Sequence, residues 1–191
     1  MSALTLLGEI EDIGRDPRRG GYSRHVFDDA ERDLRDWFIE RAQRLGLDIS
    51  TDRNGNIWAW WGAPGPDAVV TGSHLDSVPG GGGHDGPLGV VSALAAVEQL
   101  QASGFTPVRP FAIVVFAEEE GSRFGIACLG SRLLSGAISA ERALLGEIRS
   151  RWAEVWAIQE ERRLLEEAHP LVELVVESAT ARLAGGDSMR G

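Results

Sequence analysis

Two short stretches of this 191-residue chain gather the side chains that hydrolytic chemistry uses. The first is Ser73-His74-Leu75-Asp76, followed by four glycines at 80–83 and then His84-Asp85-Gly86. The second is Glu118-Glu119-Glu120, which directly follows the apolar run 111–117. One imidazole and several carboxylates at one point make a hard, oxygen-rich cation site, and a cation site points to hydrolysis. Such a reaction needs one carboxylate as a metal ligand and another, free of the metal, to carry protons. Adjacent glutamates can divide those jobs. His74 and Asp76 stand two apart, so on extended backbone they project the same way. An acceptor on the second ring nitrogen is what fixes the tautomer of a ligating histidine.

Each residue also has a plainer reading. Asp85 precedes a helix start, where an Asp serves as N-cap; the glycines before it would equally let it fold back toward His74. Three consecutive glutamates form a solvated turn unless a cation draws them together. His84, next door to Asp85, points the other way and is discounted as a ligand. Arg123 either pairs with a glutamate, binds a substrate carboxylate or lies on the surface. Cys128 sits among Ile126, Ala127 and Leu129 and reads as an inert thiol. His25 and His169 read as structural or solvent-exposed.

The elements around these residues explain why they would meet. Residues 68–74 and 110–117 are β-branched, apolar runs, read as buried strands. Between them, 87–102 is a helix apolar nearly all round, with Pro87 in its first turn. Strand, helix, strand gives a right-handed crossover that puts both strand ends at one sheet edge, the edge where open α/β sheets bind ligands. Upstream, 28–46 forms a helix with Leu34, Trp37, Phe38, Ala42 and Leu45 on one stripe. Asn54-Gly55 joins strands 47–52 and 56–61 as a hairpin. Residues 129–134 start a further helix. The expected fold class is α/β, a mixed sheet flanked by helices, with a helical C-terminal tail. In that tail, 140–168 is helical, His169-Pro170 ends the helix, 171–183 forms another, and 185–191 is a loose end. Leu145, Ile148, Trp152 and Val155 make an apolar stripe that must pack on the α/β body or on a second copy.

Bulk properties narrow the function further. Apolar residues make up 43% and charged residues 25%, which suits a globular core. The net charge is −10 and the cationic residues form no long run, so nucleic acid and anionic membrane are not expected partners. The lone cysteine, Cys128, suits a reducing cytoplasm. The N-terminus lacks signal-peptide features, and no stretch approaches the ~20 apolar residues of a membrane span.

Taken together, Thr71-Gly72-Ser73-His74-Leu75-Asp76-Ser77-Val78-Pro79, then His84-Asp85-Gly86-Pro87-Leu88-Gly89-Val90, then Phe116-Ala117-Glu118-Glu119-Glu120-Gly121-Ser122-Arg123-Phe124 resemble the M20 metallo-amidohydrolases. The nearest branch is the allantoate amidohydrolase and N-carbamoyl-L-amino-acid hydrolase group; 52–61 and 128–134 look most like the allantoate side. The likeness covers about residues 5–143. It implies the N-terminal part of a zinc-exopeptidase-like catalytic domain and two divalent metal ions, Zn or Mn. It also implies a small ureido acid as substrate and a homodimeric full-length protein. Carried over residue by residue, His74 ligates one metal, Asp85 bridges two, Glu120 ligates the other, Glu119 is the general base and Asp76 orients the His74 ring. Members of this family are roughly twice as long, with a smaller dimerisation domain inserted and two further ligating histidines beyond it. The reading therefore divides the chain into a partial catalytic domain, 1–143, and an unassigned helical segment, 144–191. On it the chain alone has little or no activity. The alternatives are an aminoacylase or dipeptidase of the same architecture, a non-catalytic interaction module, and, last, a flavodoxin-like binding domain.

Overall fold

The computed structural model describes residues 2–187 and divides into two compact units that meet between Glu147 and Ile148. The first unit opens with a short helix, α1 (Ala3–Glu9), capped by the Ser2 hydroxyl, which accepts from the Thr5 N–H at 3.2 Å. Sequence periodicity does not reveal α1, because seven residues carry too little pattern. Its Leu6, with Ile10 just beyond, is nevertheless buried in the core.

Helix α2 (Asp29–Arg44) buries Leu34, Phe38 and Ala42, the stripe read from the sequence. The hairpin follows as β1 (Asp48–Thr51) and β2 (Ile57–Trp61), antiparallel with Thr51 opposite Ile57. Gly55 sits at φ 81° in its turn, a conformation that favours glycine. The turn is locked to α2 by Arg35, whose Nη1 donates to the Gly55 carbonyl at 2.7 Å while Nε pairs with Glu31 at 2.5 Å.

Next come β3 (Val69–His74), α3 (Pro87–Ala102) and β4 (Phe111–Phe116), the expected crossover unit. The sheet order is β1-β2-β4-β3; β3 runs parallel to β4 and β2 antiparallel to it, so the sheet is mixed. β4 lies in the middle, with Ala112 to Val115 buried. Val90, Val91, Leu94 and Val97 of α3 share the core with Ile113 and Val115. The apolar run at 68–74 is not a buried strand here. β3 is the sheet edge, with Val69 41% and Val70 45% exposed. A parallel strand normally lies covered on both faces, so this edge is composed as an interior strand but stands at a border.

After α4 (Leu129–Leu134), the long helix α5 (Ala140–Asp187) leads into the second unit. It does not stop at His169-Pro170. A proline inside a helix removes one hydrogen bond and costs about 3 kcal/mol, but the flanking sequence is rich in strong helix formers. Ion pairs one turn apart also bridge the region: Arg162–Glu166 at 2.8 Å, Arg163–Glu167 at 2.5 Å and His169–Glu173 at 3.7 Å. The separate helix read at 171–183 is thus a continuation of α5. The loose end read at 185–191 is helical as far as Asp187, and 188–191 lie outside the described residues. Among the described residues, no helix is long and apolar enough to cross a membrane.

Candidate metal and proton-transfer site

The parallel register pairs His74 with Phe116, so β3 and β4 finish level at one sheet edge. The chain continues from those ends into the two acidic motifs. His74 and Asp76 are buried. The His74 Nδ1 lies 3.0 Å from the Asp76 backbone carbonyl. A carbonyl only accepts, so Nδ1 carries the proton and, in the neutral ring, Nε2 presents a lone pair. Nε2 faces Asp85 Oδ1 at 3.8 Å and Glu119 Oε2 at 3.5 Å, beyond hydrogen-bond length. Burial disfavours the charged imidazole, but Asp76 and Glu119 outweigh it and raise the His74 pKa above its ordinary value.

Asp76 does more than orient this ring. Its two carboxylate oxygens accept the backbone N–H groups of Glu119 at 3.3 Å and Glu120 at 3.1 Å. One buried carboxylate therefore ties the end of β3 to the turn after β4. Glu118 completes the clamp. It is buried at positive φ, 55°, and its Oε1 accepts from Arg123 N–H at 3.0 Å and Phe124 N–H at 2.7 Å. The other oxygen, Oε2, has no hydrogen-bond partner among the described residues, and burial pushes this carboxyl upward in pKa. The three glutamates thus divide: Glu118 turns inward to hold the loop, while the Glu119 carboxylate faces the His74 ring. The Glu120 carboxyl is raised by desolvation and by the charges of Asp85 and Glu119, with His74 opposing.

Asp85 does not cap α3. The N-cap is Gly86, with no side-chain cap bond, and the Asp85 side chain is 78% exposed on the open side of His74. Gly86 lies at φ 83°, and a Cβ there would come within 2.7 Å of the His74 ring. Replacing it with Ala is expected to destabilise the fold by more than about 1 kcal/mol and to displace the imidazole. Thermal unfolding together with the His74 ring signals in NMR would check this; an unchanged ring environment would show that Gly86 does not set the His74 position.

The other singled-out residues fall elsewhere. Arg123 Nη1 donates to Val26 carbonyl and pairs with Asp28 at 2.6 Å, tying α2 to the acidic turn. His25 Nδ1 meets Ser122 Oγ at 3.0 Å. His84 lines a separate hollow with Leu4, Tyr22 and Arg24. His169 lies on α5 beside Glu173. Cys128 is half-buried rather than sealed in the core, and its thiol donates to Glu119 Oε1 at 3.2 Å. That bond and burial raise the thiol pKa. Asn56 went unnoticed in the sequence. Its Oδ1 accepts from Ala117 N–H at 3.0 Å and its Nδ2 donates to the Gly130 carbonyl at 3.2 Å, fixing the end of β4 against α4. The only signal was a polar residue opening an apolar strand.

The donor types suit a hard divalent cation: an imidazole with a free Nε2 and three carboxylates around it. The number does not suffice. Among the described residues, no three His, Cys, Asp or Glu side chains have the geometry to hold a metal ion together.

This arrangement has relatives. The model of peptidase family M28 matches residues 56–144, which contain both acidic motifs. Ureidoglycolate hydrolase of Arabidopsis thaliana is 40% identical over 148 residues, covering 75% of this chain and 31% of that protein. Allantoate amidohydrolase of Escherichia coli K12 is 34% identical over 129 residues, covering 66% of this chain and 31% of that protein. Among solved structures, a hydantoinase/carbamoylase family amidase from Burkholderia ambifaria matches with TM-score 0.68 and 38% identity, over 73% of this chain and 35% of that one. Over about three quarters of its length, the chain resembles these amidohydrolases. The match extends from the motifs to the path of the backbone. The matching family model carries the M28 label rather than the M20 label to which the motifs point. The chain spans about a third of the length of the relatives it matches.

Proposed function

We propose that this chain is part of a metal-dependent amidohydrolase that cleaves a linear ureido or amide C–N bond of a small acid. Allantoate, ureidoglycolate and N-carbamoyl-L-amino acids are the candidate substrates. The observation that carries the reading is the His74 Nε2, buried, freed by the Nδ1 bond and aimed at Asp85 and Glu119 where two level strands end. His74, Asp85 and Glu120 would hold divalent metal, two ions of Zn or Mn. When bound, the metal would acidify a water molecule and polarise the scissile carbonyl. Glu119 is the proton carrier. Its carboxylate takes the proton of the attacking water and returns it to the departing nitrogen. Asp76 positions His74 through the ring and Glu119 through the backbone.

The first 143 residues form the partial catalytic domain, and the remaining ligands come from polypeptide outside this chain. The border position of β3 supports this, because its apolar residues suit a strand covered by neighbours. The complete enzyme is read as a cytoplasmic homodimer. The test measures metal content and ammonia release from allantoate and ureidoglycolate, with Zn²⁺ or Mn²⁺ titrated. The chain alone should show weak metal binding and no turnover. Adding the C-terminal two thirds of a matched amidohydrolase should restore both. Robust turnover by the isolated chain would overturn the incomplete-site reading, and release of amino acids from dipeptides in place of ammonia would move the substrate class to peptides.

A further inference from the structure

We propose that the second unit is a self-association element, in which α5 pairs antiparallel with α5 of a second copy of this chain. Ile148, Trp152, Val155, Ile158, Leu165 and Val172 follow one another at steps of four, three, three, seven and seven residues, near the spacing of a coiled-coil seam, with Arg162 and His169 at the intervening positions. Each is more than half exposed, Trp152 at 72%. Val176 extends the row. From Ile148 to Val176 the helix rises ~43 Å, and a strip ~12 Å wide gives roughly 500 Å² per helix. Two such strips make about 1,000 Å², the area at which specific interfaces begin. Exposed apolar surface of this extent marks an association site.

Charge selects a second copy and its direction. The middle of the seam reads Glu160-Glu161-Arg162-Arg163-Leu164-Leu165-Glu166-Glu167. A parallel, in-register pair would set Arg162 against Arg162 and Glu166 against Glu166. An antiparallel pair sets Arg162 against Glu166 of the second copy; both stand beside Ile158 and Leu165 on one face of the helix. Antiparallel neighbours also compensate their helix dipoles. The existing pair within the helix, Arg162–Glu166, is solvent-exposed and worth little, so it does not hold these side chains from a partner. The matched family model ends at residue 144, so this contact is independent of the amidohydrolase reading.

Sedimentation equilibrium of the full chain tests the proposal. The chain should be a dimer that dissociates on dilution. Leu165→Glu, in the seam, should weaken dimerisation at least about 100-fold. Ala153→Glu, on the opposite side of the helix, should leave it unchanged, and circular dichroism reports whether each variant keeps its helix. For direction, chains carrying Ile158→Cys and Val172→Cys, each in a Cys128→Ser background, are mixed and oxidised. Antiparallel pairing yields disulfides between the two kinds of chain and none between two Ile158→Cys chains. A monomer at all concentrations, a dimer indifferent to Leu165→Glu, or crosslinks between two Ile158→Cys chains would each overturn the proposal.

Discussion

Replacing Glu119 with Gln, in the chain complemented by the missing polypeptide, is expected to lower turnover by about 10²–10⁴-fold while metal content stays near that of the parent. The side chain keeps its size, so the packing around Cys128 and His74 changes little. Only the ability to accept and return a proton goes. Glu120→Gln should behave differently, losing metal first and turnover as a consequence. Its carboxyl lies in the field of His74, Asp85 and Glu119, where a neutral amide would bind a cation far less well. Metal content of both dialysed variants, alongside their rates of ammonia release, separates the two roles. Equal loss of metal in both would show that the base and ligand roles are wrongly assigned.

The sheet's crossover unit was legible because its signals are local and agree with one another. Residues 87–102 carry an apolar helix with Pro87 at the start, and α3 begins and ends there. Asn54-Gly55 marks a hairpin, and β1 and β2 flank it. The meeting of His74 with Asp76, Asp85 and Glu119 was legible for a related reason: apolar strands that end in His or acid, joined by a crossover, bring those ends to one edge. Long-range placement was hidden. That β3 is a border strand depends on what stands beside it, and neighbours are not written in residues 68–74. The fate of Glu118 was equally hidden. Three identical glutamates give no hint which one turns inward, and the answer lies in the N–H groups of Arg123 and Phe124 five and six residues on. At Pro170 the local rule misled. A residue that ends most helices was outweighed by the surrounding helix formers and by ion pairs before it and across it.

Asp76→Ala is expected to destabilise the first unit by about 2–4 kcal/mol and to weaken metal binding 10–100-fold. Asp76 is 1% exposed, so removing it leaves the N–H groups of Glu119 and Glu120 without their acceptor in a place that water reaches poorly. It also frees the turn that carries both glutamates, so His74, Glu119 and Glu120 lose their common reference point at once. Asp76→Asn separates the two effects. An amide keeps one acceptor oxygen, but its NH₂ group must face a backbone N–H, so stability falls less than in the Ala variant while the turn still shifts. The pH dependence carries a further sign. Burial opposes the charged His74 ring, yet Asp76 and Glu119 raise its folded pKa. Stability from that source is complete below the unfolded value of about 6.5 and fades as pH rises through the folded value. The gap between parent and Asp76→Ala should therefore narrow as pH rises above about 6.5, measured by urea unfolding of the metal-free proteins. A gap that widens with pH would mean that Asp76 does not stabilise the charged ring, and its remaining role would be the backbone clamp alone.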